Sequence, residues 1–225
     1  MLSNPVKIAI AGIGTVGSGV LEILKEVKSS ENLKNFNFKI SAIASRRKIN
    51  SSEKLLQETK IFKNAEELIN FKDYDVLLET IGGEDGVAKK IIFDALKNKK
   101  HVVTANKALV SKYWSTLREL SRKNDCLIKF EAAVAGGIPI IKVLEDFLPS
   151  NKVNKIYGIL NGTCNYILTN MKKKNEDFKQ ILNKESALLS SLSRISPLSS
   201  LRAATLLKTA ANSKNNLNGA YSSGL

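Results

Sequence analysis

Val6-Lys-Ile-Ala-Ile-Ala-Gly12-Ile-Gly14-Thr-Val-Gly17 decides the fold of this 225-residue chain. Residues 6 to 11 form a short apolar run of the kind that makes a buried parallel strand. Glycines follow at once, and Val20, Leu21, Ile23 and Leu24 then recur at helical spacing. A G-x-G-x-x-G alone is a weak signal; between a strand and a helix it marks a dinucleotide-binding turn. In such a turn Gly12 permits the tight bend, Gly14 lets the backbone approach a pyrophosphate, and Gly17 lets helix and sheet pack closely. The helix N-terminus offers free N–H groups and partial positive charge to the phosphates. The competing reading is a glycine turn with no ligand.

Outward from this turn the pattern repeats. Strands are expected at Phe38 to Ala44, Val76 to Leu78, His101 to Thr104 and Leu127 to Ala132. Helices are expected at Ser52 to Thr59, at Ala65 to Asn70 behind an Asn64 cap, and at Val87 to Lys97 and Lys112 to Lys123. Strands alternating with helices imply an α/β fold, a Rossmann-type doubly wound parallel sheet. It is expected over residues 1–132. Beyond it, Ile138 to Leu148 reads as a helix entered through Pro139, Val153 to Leu160 as a strand, and Cys164 to Met171 as a helix that Thr163 could cap.

The end of the second strand bears on which dinucleotide binds. An acid there would bond the ribose 2′-OH of NAD. This chain has Ala44-Ser45-Arg46-Arg47-Lys48. Arg46 and Lys48 suit a 2′-phosphate, and Ser45 could donate a hydrogen bond, which favours NADP with NAD still possible. A solvated basic turn is the alternative. Glu79-Thr80-Ile81-Gly82-Gly83 follows the third strand, where ligands bind in such sheets, so Thr80 and Gly82 are candidate cofactor residues, with a simple loop turn as the alternative. Thr104-Ala105-Asn106-Lys107 ends a strand at the same edge. Thr104 and Lys107 join the candidates, although spacing alone does not separate Lys107 from an ordinary surface lysine. Glu131 to Pro139 sets a carboxylate before a loop of small residues whose carbonyls could turn inward, hard oxygen ligands that suit a small cation.

The motifs TANKALV (104–110), EAAVAGGIPII (131–141) and GILNGTCNYIL (158–168), with the N-terminal glycines, closely resemble homoserine dehydrogenase from about Val6 to Asn183. That family interconverts L-homoserine and L-aspartate 4-semialdehyde with NAD(P), in threonine and methionine biosynthesis from aspartate. The resemblance implies a cofactor site at Gly14, Thr15, Val16 and Gly17, with Ala44, Arg46 and Lys48 around the adenosine end and Gly162 lining the cleft. Lys107 would stand by nicotinamide and substrate. Glu131, Val134, Gly136 and Ile138 would hold a structural monovalent cation, sodium. Residues 133–185 would begin an α+β substrate and dimerisation domain, so a homodimer is the family expectation.

The family's G-x-D-x-x-x-K segment, which supplies a substrate-binding aspartate and an acid/base lysine, has no counterpart here. After Glu185 there is no Asp and no Glu, and about a quarter of residues 186–225 are Ser. Lys208 and Lys214 lie in no matching context. The abrupt change fits a frameshift near residues 183 to 186, with a diverged tail as the alternative; the tail is expected to be disordered. The chain is then an incomplete, weakly active or inactive enzyme, or else a catalytically silent dinucleotide-binding module.

Composition sets the outer limits. The chain is 43% hydrophobic and 25% charged, which is globular. It has no apolar run long enough to span a membrane and no signal-peptide layout, so a cytoplasmic protein without a membrane partner is expected. A net charge of +14 raises nucleic-acid binding, but the lysines are scattered among Asn and Ile and few aromatics accompany them. A small-molecule substrate and no nucleic acid is the expectation. Cys126 and Cys164 make no disulfide scaffold and have no acid or His arranged for nucleophilic work. His101 is expected to be a strand-edge residue.

Overall fold

A computed structural model describes residues 4–29, 37–49, 54–135, 138–158, 162–174, 177 and 180–181, with the backbone alone at 162–164 and 174. Six parallel strands make one sheet: β1 (Val6–Ala11), β2 (Phe38–Ala44), β3 (Lys60–Phe62), β4 (Val76–Glu79), β5 (His101–Thr104) and β6 (Ile128–Lys129). Their spatial order is β3-β2-β1-β4-β5-β6. The chain therefore leaves β1 in one direction to build β2 and β3 and returns to its other side for β4, β5 and β6. That reversal opens a crevice between the carboxyl ends of β1 and β4.

The period-two alternation of each strand feeds two cores. Ile8, Ile10, Ile40, Leu78 and Val103 pack with Val20, Leu21 and Leu24 of α1 (Thr15–Ser29) on one face. Ala9, Ala11, Ala42, Leu77 and Val102 lie on the other. There α2 (Val87–Lys97) contributes Ile91, Ile92 and Leu96, and α3 (Lys107–Lys123) contributes Leu109 and Leu117. Alanines predominate on the strands of the second face, so two helices can approach it closely. Each completely buried Leu or Ile contributes roughly 1.5–3 kcal/mol over an exposed one, which makes these two layers the main source of stability.

Several boundaries differ from the sequence expectation. β3, a three-residue edge strand, is not among the expected strands. The helix at Ser52 to Thr59 is reduced among described residues to a 3-10 turn, Lys54–Leu56. The helix behind Asn64 is also 3-10, Ala65–Ile69, with a capping box between Asn64 and Glu67. α3 begins at Lys107, five residues before the expected Lys112, because the Asn106 side chain accepts the Leu109 N–H and starts the helix there. β6 stops at Lys129, as Phe130 leaves extended geometry (φ −142°, ψ 20°) and Glu131–Ala133 becomes a 3-10 turn.

The larger corrections fall after residue 135. Ile138 to Leu148 is not one helix: a short turn α4 (Ile140–Lys142) runs into a π-helical turn, Val143–Phe147, with no buried residue in either. Residues 153–158 form no strand. They are exposed and have no ladder partner among the described residues, and an extended segment without a neighbour has nowhere to place its backbone bonds except water. α5 (Gly162–Lys174) includes Thr163 within the helix, so Thr163 is not its cap. Gly136, Ile159, Leu160 and the expected disordered tail lie outside the described residues.

Candidate active site

The crevice is a cleft of about 720 Å³, walled by Gly12, Ile13 and Gly14 after β1, Ala44 to Arg47 after β2, and Thr80, Ile81 and Gly82 after β4. The three glycines of the turn meet three different demands. Gly12 has φ +97°, a left-handed conformation, and a Cβ there would sit 3.1–3.2 Å from Ile81 and Thr80. A Cβ on Gly17 would lie 2.1 Å from the Gly12 carbonyl oxygen, an overlap that only movement of the backbone could relieve. A Cβ on Gly14 would meet nothing within 4 Å. Among the described residues no atom therefore requires a glycine at position 14; the space before it is open to a ligand. The Thr80 hydroxyl donates to the Gly12 carbonyl at 2.7 Å, tying the β4 loop to the glycine turn.

The β2 side of the cleft is basic. Arg46, Arg47 and Lys48 are exposed, and the two arginines line the cleft while Lys48 is not among its walls. Ser45 is buried. Its hydroxyl accepts the Arg47 N–H at 3.0 Å and donates to the Arg47 carbonyl at 3.2 Å, so it shapes the turn that presents the arginines. Lys63 and Asn64, from the loop after β3, stand on the same wall. Sequence reasoning missed Lys63 because it did not register β3 as a strand; a lysine directly after a carboxyl-edge strand was the available signal.

The other end is built around a buried acid. Glu79, completely buried, accepts the N–H groups of Ile81 (2.8 Å) and Gly82 (2.9 Å) through Oε1 and the Thr104 hydroxyl (2.5 Å) through Oε2. Thr104 is also completely buried, beneath the surface of the cleft. Lys107 is exposed at the first position of α3, one strand along the same edge from β4. Asp85, also on the cleft wall, bonds Lys112 (2.6 Å) and the Tyr113 hydroxyl (2.6 Å), which hold its carboxyl down at about 2. Tyr113 departs from helical geometry within α3 (φ −117°, ψ 15°).

Glu131 is buried, and its carboxylate takes the N–H groups of Ile141 and Lys142, both at 3.0 Å. Its side chain is committed to α4, and a cation here would meet main-chain carbonyls. Among the described residues, those of Glu131 and Ile138 accept the N–H groups of Val134 and Ile140, and a carbonyl oxygen carries a second lone pair. Ala135 turns the loop back with φ +48°, and Ile138 is exposed. No group of three or more His, Cys, Asp or Glu side chains gathers among the described residues. Neutral carbonyl donors without clustered carboxylates fit a monovalent cation better than a divalent one. His101 accepts the Leu127 N–H at 3.0 Å, joining β5 to the start of β6.

The family model described as "Homoserine dehydrogenase, NAD binding domain" matches residues 12–131, more than half of the chain and the whole of this cleft. The chain belongs to the homoserine dehydrogenase family. A second model, "Homoserine dehydrogenase", matches residues 139–189. Curated homoserine dehydrogenases from Neisseria gonorrhoeae and Bacillus subtilis are 39% and 37% identical over 82% and 81% of this chain, each match covering 42% of the relative. The crystal structure of a homoserine dehydrogenase from Thiobacillus denitrificans superposes with a TM-score of 0.70 at 34% identity, over 82% of this chain and 43% of that one. The chain thus spans about two fifths of the length of the curated relatives it matches. No helix among the described residues is long and apolar enough to cross a membrane.

Proposed function

We propose that the cleft binds a nicotinamide dinucleotide, NADP in preference to NAD, and that the chain carries the cofactor half of an enzyme interconverting L-homoserine and L-aspartate 4-semialdehyde. The observation that carries this reading is the open cradle at Gly14, set at the point where the strand order reverses, with cations on the β2 wall. Gly12 and Gly14 admit the pyrophosphate, and the first-turn N–H groups of Thr15, Val16 and Gly17 face its charge. Ala44 floors the adenosine pocket. Ser45 orders the turn from which Arg46 reaches a 2′-phosphate, with Lys48 adding to the local potential. Thr80, Gly82 and Gly162 border the nicotinamide, and Thr104 supports them from beneath. Bound there, the dinucleotide supplies hydride chemistry; Lys107 attracts and orients the substrate. Carbonyls of Glu131, Val134, Gly136 and Ile138 hold sodium as a brace for the loop. Residues 1–132 and 133–185 are the cofactor domain and the start of the substrate domain, in a cytoplasmic protein that binds neither nucleic acid nor membrane.

Fluorescence titration of the full chain with NADPH and NADH tests the assignment. NADPH is expected to bind about tenfold or more tightly, the worth of one charge-assisted contact to the 2′-phosphate. Equal affinities would refute the NADP preference, and binding of neither would refute the cleft assignment. A silent dinucleotide-binding module is the second reading, favoured by the absence of any acid after Glu185.

A further inference from the structure

Glu79 ends a strand whose other residues, Val76, Leu77 and Leu78, are apolar and buried. An acid in that setting is expensive unless fully bonded. None of the ion pairs among the described residues includes it. Its bonds form a closed circuit instead. Oε1 holds the Ile81 and Gly82 N–H groups, and Oε2 holds the hydroxyl of Thr104, its cross-strand partner on β5. Thr104 Oγ1 accepts the Asn106 N–H at 3.0 Å. Asn106 then donates from Nδ2 to the Gly83 carbonyl at 2.5 Å and caps α3 by accepting the Leu109 N–H. The circuit fixes Gly82 and Gly83, both at φ +84°, and sets the first residue of α3, Lys107. A valine or leucine at position 79 would satisfy the sheet but none of these groups. A residue that costs burial energy and organises only the cleft edge marks a functional demand.

We propose that Glu79 is a positioning residue: acting through Thr104 and Asn106, it locks the Ile81–Gly83 loop to the start of α3 and so sets the nicotinamide-side wall and Lys107 as one unit. The inference rests on the dinucleotide reading of the cleft. Glu79 touches no ligand itself, and the circuit stays clear of the basic wall after β2. Its loss should therefore weaken the nicotinamide half of the dinucleotide and spare the adenosine half.

The test compares NADPH with adenosine 2′,5′-bisphosphate, which carries only the adenosine end, on the full-length chain and on Glu79→Gln and Thr104→Val. Gln keeps an acceptor for the two N–H groups but cannot accept the Thr104 hydroxyl proton through its amide nitrogen. Val removes the hydroxyl and leaves Glu79 in place. Both variants are expected to bind NADPH about tenfold more weakly and the bisphosphate within about twofold of the parent chain. Equal weakening of both ligands, no weakening of either, or failure of both variants to fold would overturn the positioning role. If one variant fails to fold, the other decides. If the parent chain binds neither ligand, the dinucleotide reading falls together with this inference; if it binds both and the variants match it, this inference alone falls.

Discussion

Arg46 and Lys63 approach the cleft from different loops, and the proposed NADP would set its doubly negative 2′-phosphate within reach of both charges. Arg46→Ala is expected to cost NADPH binding roughly tenfold while leaving NADH nearly unchanged, since charge-assisted bonds to phosphate are worth about 1.5–3 kcal/mol and the NADH ribose offers no such partner. Lys63→Ala should act in the same direction but less strongly, because a lysine is a mobile point charge without the planar fork of arginine. Paired titrations with the two reduced dinucleotides at constant salt measure both; an equal loss of NADH affinity would mean the side chains serve the fold and not the phosphate. The place of Arg46 on the cleft wall was legible in the sequence because it follows directly on the end of the second strand. Lys63 was not, since it gains its place only when the three-residue β3 pairs with β2 through Ala42–Lys60 and its neighbours. Glu79 was visible as a charge closing an apolar strand, but its three bonds depend on the register that sets it against Thr104.

Elements show the same division between local signals and tertiary ones. The bounds of β1, β2, β5 and α2 follow from apolar runs and periodicity that tertiary packing then satisfies. The segment 138–158 keeps only short helical turns and no strand among the described residues, and none of its residues is buried. Phe147 is 70% exposed and Tyr157 is 85% exposed. Two substitutions in the glycine turn separate packing from ligand space. Gly17→Ala would drive a Cβ to 2.1 Å from the Gly12 carbonyl oxygen; separation of α1 from β1 should lower the melting temperature and abolish binding together. Gly14→Ala should leave the melting temperature nearly unchanged while weakening dinucleotide binding, because its Cβ enters the open cleft. Thermal melts with and without NADPH distinguish the two, and a Gly14→Ala chain that binds normally would remove the pyrophosphate from this turn. At the next element, Glu131→Ala leaves the Ile141 and Lys142 N–H groups without their acceptor. The range for such a loss is about 1–3 kcal/mol, and the half-exposed setting of α4 puts it at the lower end, because water can reach the freed N–H groups. Hydrogen exchange of those two amides should then rise several-fold with little change in the global melt.

Over the whole molecule the two family matches and the composition change converge on one place. The second family match ends at residue 189, and the last acid of the chain is Glu185. The sheet, with its cofactor cleft, is complete before residue 132, whereas the described residues after 138 form only α4, the π-helical turn, the exposed stretch 151–158 and α5, with Asp177, Gln180 and Ile181 beyond it. Binding and turnover should therefore separate in this 225-residue chain. Hydride transfer needs the aldehyde carbon held at near-attack distance and a proton for the developing alkoxide. A positioned acid/base contributes about 10² to 10⁴ in rate, and misplacement of the substrate compounds its loss. With no acid after Glu185 and no G-x-D-x-x-x-K segment, the chain should bind NADPH yet oxidise homoserine at least about a thousandfold more slowly than a full-length relative. Steady-state NADPH formation at mildly alkaline pH, run beside the binding titration, measures both quantities. Turnover equal to that of the relative would assign proton transfer to Lys107 or a tail lysine and sink the incomplete-enzyme reading. The DNA gives an independent check: if a frameshift replaced the original tail, another frame beyond codon 183 should encode a Gly-x-Asp-x-x-x-Lys segment, and its absence from every frame would make the Ser-rich tail the authentic one.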